Sequence, residues 1–161
     1  MPKDIPDLIQ AVLGGNLPEV ISVLENDVEV NAKDKFGRTA LHHAVIDKNF
    51  EICKILVAHK ADVSVPDHAF FTPLHFAAQE YALEITELLI QNNAIIDAKN
   101  EHGNTPLWIA VFNSRGRGEI IQLLLQAGAD PHKENNSGVS PLKLAQTIAN
   151  FDIKRFFEER S

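Results

Sequence analysis

Histidines are the residues of this chain that most strongly suggest chemistry. The 161-residue sequence has seven of them, including the adjacent pair His42 and His43, with His59 and His75 further along. Imidazole nitrogens are common zinc ligands, so a metal-dependent hydrolase is one hypothesis. A zinc site needs three or four converging ligands at short local spacing, and the sequence has no H-E-x-x-H phrase. The histidines are therefore not expected to form a metal site, and no metal or other cofactor is expected.

The single cysteine, Cys53, is the candidate nucleophile. One cysteine excludes an internal disulfide and a cysteine-based metal cluster. Cys53 lies in an apolar run between Ile52 and Ile55, where burial would raise its pKa and leave the thiol inert. Neither a G-x-S-x-G phrase nor a phosphate-binding glycine loop is present, and "LGGN" at 13–16 predicts a turn between helices. The chain is therefore predicted not to be an enzyme.

Two arginines form the one basic spot of an acidic chain, in "NSRGRG" at 113–118. Arg115 and Arg117 could clamp a carboxylate or a phosphate. A flexible, solvated loop is the favoured alternative, because loops tolerate insertions at low cost. The net charge of −7 argues against a nucleic-acid ligand, and no run approaches the roughly 20 apolar residues of a membrane helix. A cytoplasmic protein that binds neither nucleic acid nor membrane is expected.

The elements that carry these residues recur along the chain. "RTALHHA", "FTPLHFA" and "NTPLWIA" place Thr39, Thr72 and Thr105 at a constant interval of 33 residues. "VSPLKLA" puts Ser140 in the same slot 35 residues later, and its two extra residues fall within 113–119. A fixed period of this size is typical of a repeat array.

Each copy predicts a pair of helices. The threonine is a candidate N-cap, and the prolines that follow it at 73, 106 and 141 suit the first helical position, where a missing N–H costs nothing. One pair cannot cover its own apolar face, so neighbouring pairs must stack. Two sets of residues recur at one slot each and are predicted to be buried equivalents: Leu41, Leu74, Leu107 and Leu142 in the first helix, and Leu56, Leu89, Leu124 and Phe157 in the second.

The segment "DKFGRTALHHAVIDKNFEICKILVAHKADVSV" resembles an ankyrin repeat. It matches the start D-x-x-G-x-T-P-L-H-x-A and the close I-x-x-L-L-x-x-G-A-D. The copies depart from this pattern where Ala40 replaces the proline, Phe70 the turn glycine, and Trp108 and Lys143 the histidine. The resemblance implies an all-α solenoid in a single domain, with five stacked helix–turn–helix units at about 1–33, 34–66, 67–99, 100–134 and 135–161. The two end units would be caps, and short β-turn fingers would project from the stack.

The C-terminal phrase "FDIKRFFEERS" fits a cap that meets water on one side. Its apolar residues match core slots: Phe151, Ile153, Phe156 and Phe157. Its charged residues would solvate the outside: Lys154, Arg155, Glu158, Glu159 and Arg160.

The resemblance also assigns roles to particular positions. His42 and His75 correspond to the family's structural histidine, which ties the turn together through hydrogen bonds. The fingers and the inner helices would line a concave face that holds other proteins. The predicted partner-binding residues on that face are Phe36, Arg38, Asp47, His68, Phe70, Phe71, Glu80, Tyr81, Glu101, His102, Asn104, Trp108 and Phe112. Many of them are aromatic, which is typical of an interface centre, although Trp108 suits a place in the core equally well.

Phe70 stands where the turn glycine adopts a left-handed backbone, which costs other residues about 1–2 kcal/mol. Either the turn changes its type or the strain is tolerated, and a changed turn that displays Phe70 and Phe71 is the favoured interpretation.

The functional hypothesis is a non-catalytic module that binds one protein partner. Short acidic ankyrin chains resemble bacterial immunity proteins, which neutralise a cognate toxin, so an inhibitor that is monomeric when free and binds a basic toxin or effector is favoured. A general adaptor or scaffold subunit is the alternative. The metal-dependent hydrolase is retained only to be tested.

Overall fold

The structure, a computed structural model, describes residues 6–158 of the chain. Within this range it consists of helices and loops without a strand, which confirms the all-α solenoid. The predicted outward residues Glu159 and Arg160 lie outside the described residues. The helices are α1 Asp7–Leu13, α2 Leu17–Leu24, α3 Ala40–Ile46, α4 Phe50–Ala58, α5 Pro73–Gln79, α6 Leu83–Gln91, α7 Pro106–Phe112, α8 Glu119–Gln126, α9 Pro141–Thr147 and α10 Arg155–Glu158.

The helices form two layers that run along the chain. Helices α1, α3, α5, α7 and α9 pack on one another in sequence order as an inner layer, and α2, α4, α6 and α8 form an outer layer in the same way. Helix α10 packs on α8. Each unit therefore contacts its sequence neighbours, as expected for a stack stabilised repeat by repeat. The exact repeat boundaries stay a prediction.

The inner helices begin where the repeated phrase predicts. Thr72, Thr105 and Ser140 are N-cap residues, and α5, α7 and α9 each begin at the following proline. The Thr105 hydroxyl oxygen accepts a hydrogen bond from the N–H of Trp108 at 3.2 Å. These caps satisfy orphan donors at the helix start and confirm the N-cap prediction.

A finger loop precedes each of the last four inner helices and is closed by one aspartate or asparagine. Asp34 Oδ1 accepts hydrogen bonds from the N–H groups of Phe36 at 2.8 Å and Arg38 at 3.0 Å. The equivalent bonds recur in the other fingers, where the accepting residues are Asp67, Asn100 and Asn135. The four loops therefore share one backbone shape.

Successive fingers are joined by main-chain hydrogen bonds. His68 N–H donates to Phe36 O at 2.9 Å, and Glu101 N–H donates to Ala69 O at 3.0 Å. Asn136 continues the series in the last finger, with a 3.0 Å bond to the main-chain oxygen of residue 102. The fingers thus form a continuous row alongside the inner helices.

His42 and His75 tie each of their fingers to the next one. His42 Nδ1 accepts the Thr39 N–H at 3.0 Å, so its Nε2 carries the proton and donates to Phe71 O at 3.2 Å. His75 repeats this arrangement, with Nε2 at 3.0 Å from Asn104 O. Burial lowers the pKa of both imidazoles to about 4, so both are neutral at pH 7. This confirms their structural role.

The predicted leucine equivalents are buried in the middle of the stack and less so at its end. Leu41, Leu74 and Leu107 are buried in the inner layer, as are three residues of the outer layer at 56, 89 and 124. Leu142 and Phe157 are only half-buried, so that part of the prediction is wrong. Within residues 6–158 no later unit covers them, whereas the other copies are enclosed on both sides.

We expect Leu74→Ala to lower the free energy of unfolding by about 2–5 kcal/mol, because it leaves a cavity in a fully enclosed unit. Leu142→Ala is the matched control and should cost clearly less, since its site is already open to solvent. Urea denaturation followed by circular dichroism measures both. Equal losses in the two variants would contradict this account of the stack.

We also expect stability to fall as the pH drops from 6.5 towards 4. Unfolded histidines bind a proton near pH 6.5, whereas His42 and His75 resist it until about pH 4 in the folded chain. Acidification from pH 7.5 to pH 5 should therefore lower the free energy of unfolding by about 2 kcal/mol for each of these two histidines. Urea midpoints at the two pH values test this. His75→Gln should be less stable at pH 7.5 but lose less on acidification, and an unchanged pH dependence would refute the linkage.

Candidate functional site

The finger face is the surface formed by finger loops 34–38, 67–71 and 100–104 and by the C-terminal ends of α3, α5 and α7. Three large aromatic side chains protrude from it: Phe36 is 55% exposed, Phe70 58% and Phe112 63%. The polar residues exposed on it are Lys35, Asp47, His68, Gln79, Glu101 and His102. The structure thus brings exposed aromatic and acidic side chains of three consecutive copies to one face.

Arg38 is held in a stack of aromatic rings. Its guanidinium carbon lies 5.0 Å from the ring centre of Phe76 and 5.9 Å from that of Phe36, and its Nε is 3.4 Å from Asp67 Oδ2. Phe76 is only 5% exposed and was missed at the sequence level. The position of Phe76 directly after His75, one helical turn from the finger, was the feature of the sequence that could have indicated its role. Cation–π contact and the ion pair fix the Arg38 side chain at the face.

Phe71 is half-buried beneath this stack rather than displayed. Its ring centre lies 5.3 Å from that of Phe76 and 5.5 Å from that of His75. Phe71 therefore supports the finger face from behind and offers a partner only one side of its ring.

Phe70 occupies an ordinary finger turn. Its φ of 61° lies in the left-handed region, like the 78° of Gly37, and its N–H bonds to Asp67 O at 3.0 Å, as Gly37 N–H bonds to Asp34 O. The predicted change of turn type is wrong. The bonds between neighbouring fingers hold this loop in the common shape, so Phe70 bears a strain of about 1 kcal/mol while its ring stays in solvent.

Trp108 and Phe112 form a parallel pair on α7. Their ring centres are 5.4 Å apart with an interplanar angle of 14°, and Trp108 is half-buried. Trp108 occupies the slot of His42 and His75, but its buried Nε1 has no hydrogen-bond partner within residues 6–158. The indole therefore supports the exposed Phe112 ring and does not reproduce the histidine bond to the next finger.

Two predicted contact residues are engaged within the chain. Asn104 is 8% exposed, and its Oδ1 accepts a hydrogen bond from Asn135 Nδ2 at 2.8 Å, so little of its side chain is offered to a partner. Tyr81 is half-buried and donates its hydroxyl proton to Arg117 O at 2.6 Å. Both side chains join neighbouring copies. Position within one repeat could not reveal these bonds, because the partners lie 31 and 36 residues away.

The acidic side chains of the finger face have weak partners. Glu80 Oε2 is 4.0 Å from Lys48 Nζ, and Glu101 Oε1 is 3.6 Å from His102 Nε2. Asp47 is exposed at the end of α3. Glu80 is half-buried and also accepts a hydrogen bond from Gln79 Nε2 at 3.2 Å. Because ion pairs at the surface are worth little, Asp47 and Glu101 are the carboxylates most available to another molecule.

The other groups considered from the sequence lie in unreactive settings. Cys53 is fully buried, and burial raises the pKa of its thiol to about 12. Nowhere in the described range do three or more His, Cys, Asp or Glu side chains form a group that could hold a metal. None of the helices between residues 6 and 158 is long and apolar enough to cross a membrane.

Comparison with known proteins identifies the repeat. A family model described as ankyrin repeats (3 copies) matches residues 8–94 and 64–135. The chain is 43% identical over 58 residues to the Notch-regulated ankyrin repeat-containing protein of Homo sapiens, which covers 34% of this chain and 51% of that protein.

Two further relatives are larger proteins. Over 142 residues the chain is 30% identical to the Mitochondrial disaggregase of Bos taurus, covering 86% of this chain and 21% of that protein. Over 58 residues it is 40% identical to Palmitoyltransferase akr1 of Schizosaccharomyces pombe, covering 35% of this chain and 9% of that protein. The matched segment spans about half the length of the Notch-regulated relative and far less of the other two.

We expect Phe70→Gly to leave stability unchanged or to raise it by about 1 kcal/mol, because glycine adopts the left-handed backbone without strain. The same change should weaken capture of a partner by the finger face. Phe36→Gly is the matched control for stability. It removes a similarly exposed ring, but the backbone φ of Phe36 is not in the left-handed region, so no gain in stability is expected. A large drop in melting temperature for Phe70→Gly would instead identify Phe70 as core.

Proposed function

The chain belongs to the ankyrin-repeat family, whose repeats form protein-binding modules, and from that premise we propose that it inhibits one protein partner by binding it through the finger face. The observation that carries the proposal is the display of Phe36, Phe70 and Phe112 on one face of three consecutive copies. Such large exposed apolar side chains suit anchors that enter pockets of a partner. The action proposed is binding without catalysis.

Rigid support of these anchors favours tight binding. The fingers are fixed by main-chain bonds to one another, and Arg38 and Trp108 are stacked against neighbouring rings. Little side-chain or loop entropy is then lost when the partner binds. A rigid surface of this kind can bind over the functional site of a partner without first changing its own conformation.

The charge of the face indicates a basic partner. Asp47, Glu80 and Glu101 lie on the finger face with the aromatic side chains, and the whole chain has a net charge of −7. The face also has cations, since Lys35 Nζ is 5.0 Å from the Phe36 ring centre and Lys48 pairs with Glu80, so the acidic side chains exceed them only in the balance of the whole chain. Opposite fields speed encounter and discourage wrong partners. A toxin or effector whose own site grips a polyanion has the matching charge, which is why inhibition is proposed first.

A general adaptor or scaffold subunit is the second candidate. It is compatible with the comparisons, since parts of the chain align with segments of larger proteins whose names describe a disaggregase and a palmitoyltransferase. The two roles differ in what the captured partner does. An inhibitor abolishes the partner's activity at one-to-one stoichiometry, whereas an adaptor leaves that activity intact and joins it to a third protein.

A monomeric free state and a cytoplasmic location belong to the same proposal. The metal-dependent hydrolase is tested separately by a zinc determination and a turnover assay on the purified chain. Both would have to be positive for that alternative to stand.

Charge reversal on the finger face tests the proposal. Glu80→Lys combined with Glu101→Lys should slow association with the captured partner and weaken the fall of the association rate with rising salt, because the steering field is reduced. The measurement is the association rate against ionic strength, with survival of cells that express the partner as the functional readout.

The matched control is Glu84→Lys combined with Glu87→Lys, which changes the net charge equally through exposed residues of the outer helix α6. It should affect binding far less. If both double variants bind and protect as the unmodified chain does, the acidic finger face is not the binding site. If the captured partner shows no activity that the chain blocks, the adaptor replaces the inhibitor.

A further inference from the structure

The fourth copy of the repeat contains a longer loop, 113–118, which joins α7 to α8. The sequence favours a flexible, solvated loop here, and the structure contradicts that expectation. Ser114 is fully buried, and the main-chain N–H of Arg117 donates to Ser114 O at 3.0 Å. The loop is therefore a folded part of the molecule.

Arg117 connects this loop to the third copy. Its guanidinium carbon lies 3.8 Å from the ring centre of Tyr81, and the Tyr81 hydroxyl donates to the main-chain oxygen of Arg117 at 2.6 Å. Tyr81 lies in the turn between α5 and α6 with a φ of 53°, in the left-handed region. Burial, with a smaller contribution from Glu119, raises the pKa of Tyr81 to about 12, so the hydroxyl remains a donor. Tyr81 thus contacts Arg117 at two points: its ring lies against the guanidinium group, and its hydroxyl bonds to the main-chain oxygen.

The same arginine side chain caps the helix that carries Phe112. Arg117 Nε donates to Ser114 O at 3.0 Å, and Nη2 donates to Asn113 O at 3.4 Å. Asn113 is the C-cap residue of α7, so its carbonyl group has no partner within the helix and needs an external donor, and Ser114 is the next residue along the chain. Because Phe112 is the last residue of α7 and stacks on Trp108, the cap acts on the end of the helix where this pair lies.

The loop also packs against the C-terminal cap. A Cβ added to Gly116 would lie 2.8 Å from Cδ1 of Phe151, and one added to Gly118 would collide with the Phe156 ring. Phe151 is exposed, so its predicted core role is wrong, but its ring lies directly against Gly116. The loop therefore meets the third copy, the end of α7 and the cap at once.

We propose that the Tyr81–Arg117 contact is a positioning device that fixes the end of α7, and with it the Trp108–Phe112 pair, while holding the C-terminal cap on the stack. This reassigns Tyr81 from partner contact to positioning residue. That Phe112 then meets a partner rests on the proposed function, but the positioning itself does not.

The single tryptophan of the chain reports on this device, because Trp108 stacks on Phe112. In Arg117→Ala, acrylamide quenching of Trp108 should rise about twofold as the half-buried indole becomes accessible, and amide exchange in residues 148–158 should accelerate about tenfold. Tyr81→Phe keeps the ring but removes the hydroxyl donor, so it should show smaller changes in the same direction. Arg115→Ala, which removes an exposed arginine of the same loop, should match the unmodified chain.

Two results would overturn the proposal. One is that Arg117→Ala behaves like Arg115→Ala in both measurements. The other is that Leu24→Ala, a destabilising change at a buried residue of α2, alters Trp108 quenching as much as Arg117→Ala does. Affinity for the captured partner is measured in parallel: altered quenching with unchanged affinity would refute the role of Phe112 in binding, yet leave the positioning intact.

Discussion

The hydrogen bonds that join each finger to the next are the constraint on which the rest of the structure depends. His68 N–H to Phe36 O and Glu101 N–H to Ala69 O require successive fingers to have the same backbone shape, and His42 and His75 add a side-chain bond across these two junctions. A residue in the glycine slot must therefore adopt the left-handed conformation whatever its side chain. This constraint accounts for the exposed, strained position of Phe70.

The same constraint gives the finger face its character as a binding surface. Side chains at equivalent positions of successive copies are held at a regular spacing, so a run of exposed residues becomes a preformed pattern rather than a set of mobile groups. In this chain the pattern has aromatic rings at two fingertips, Phe36 and Phe70, and a third at the end of α7, Phe112, with charged side chains of both signs beside them. Its rigidity comes from bonds between copies, so a change in one unit should also affect its neighbours.

Much of this architecture could be predicted from sequence because it repeats. The interval between Thr39, Thr72 and Thr105 predicts the helix starts, and the buried leucines follow from the same register. Features that depend on a contact with the next copy could not be read in this way. Asn104 bonds to Asn135, and Arg117 of loop 113–118 accepts a hydrogen bond from a tyrosine 36 residues before it. The prediction for the turn at Phe70 was wrong for a related reason. Local turn preference predicts a changed turn, whereas the hydrogen bonds between fingers keep the ordinary one.

The most direct test of the central claim is an amide hydrogen-exchange footprint of the chain bound to its captured partner. The account predicts new protection in fingers 34–38, 67–71 and 100–104 and at the C-terminal ends of α3, α5 and α7, with the outer helices α4, α6 and α8 unchanged. Protection centred on the outer helices, or spread evenly over the chain, would contradict binding through the finger face.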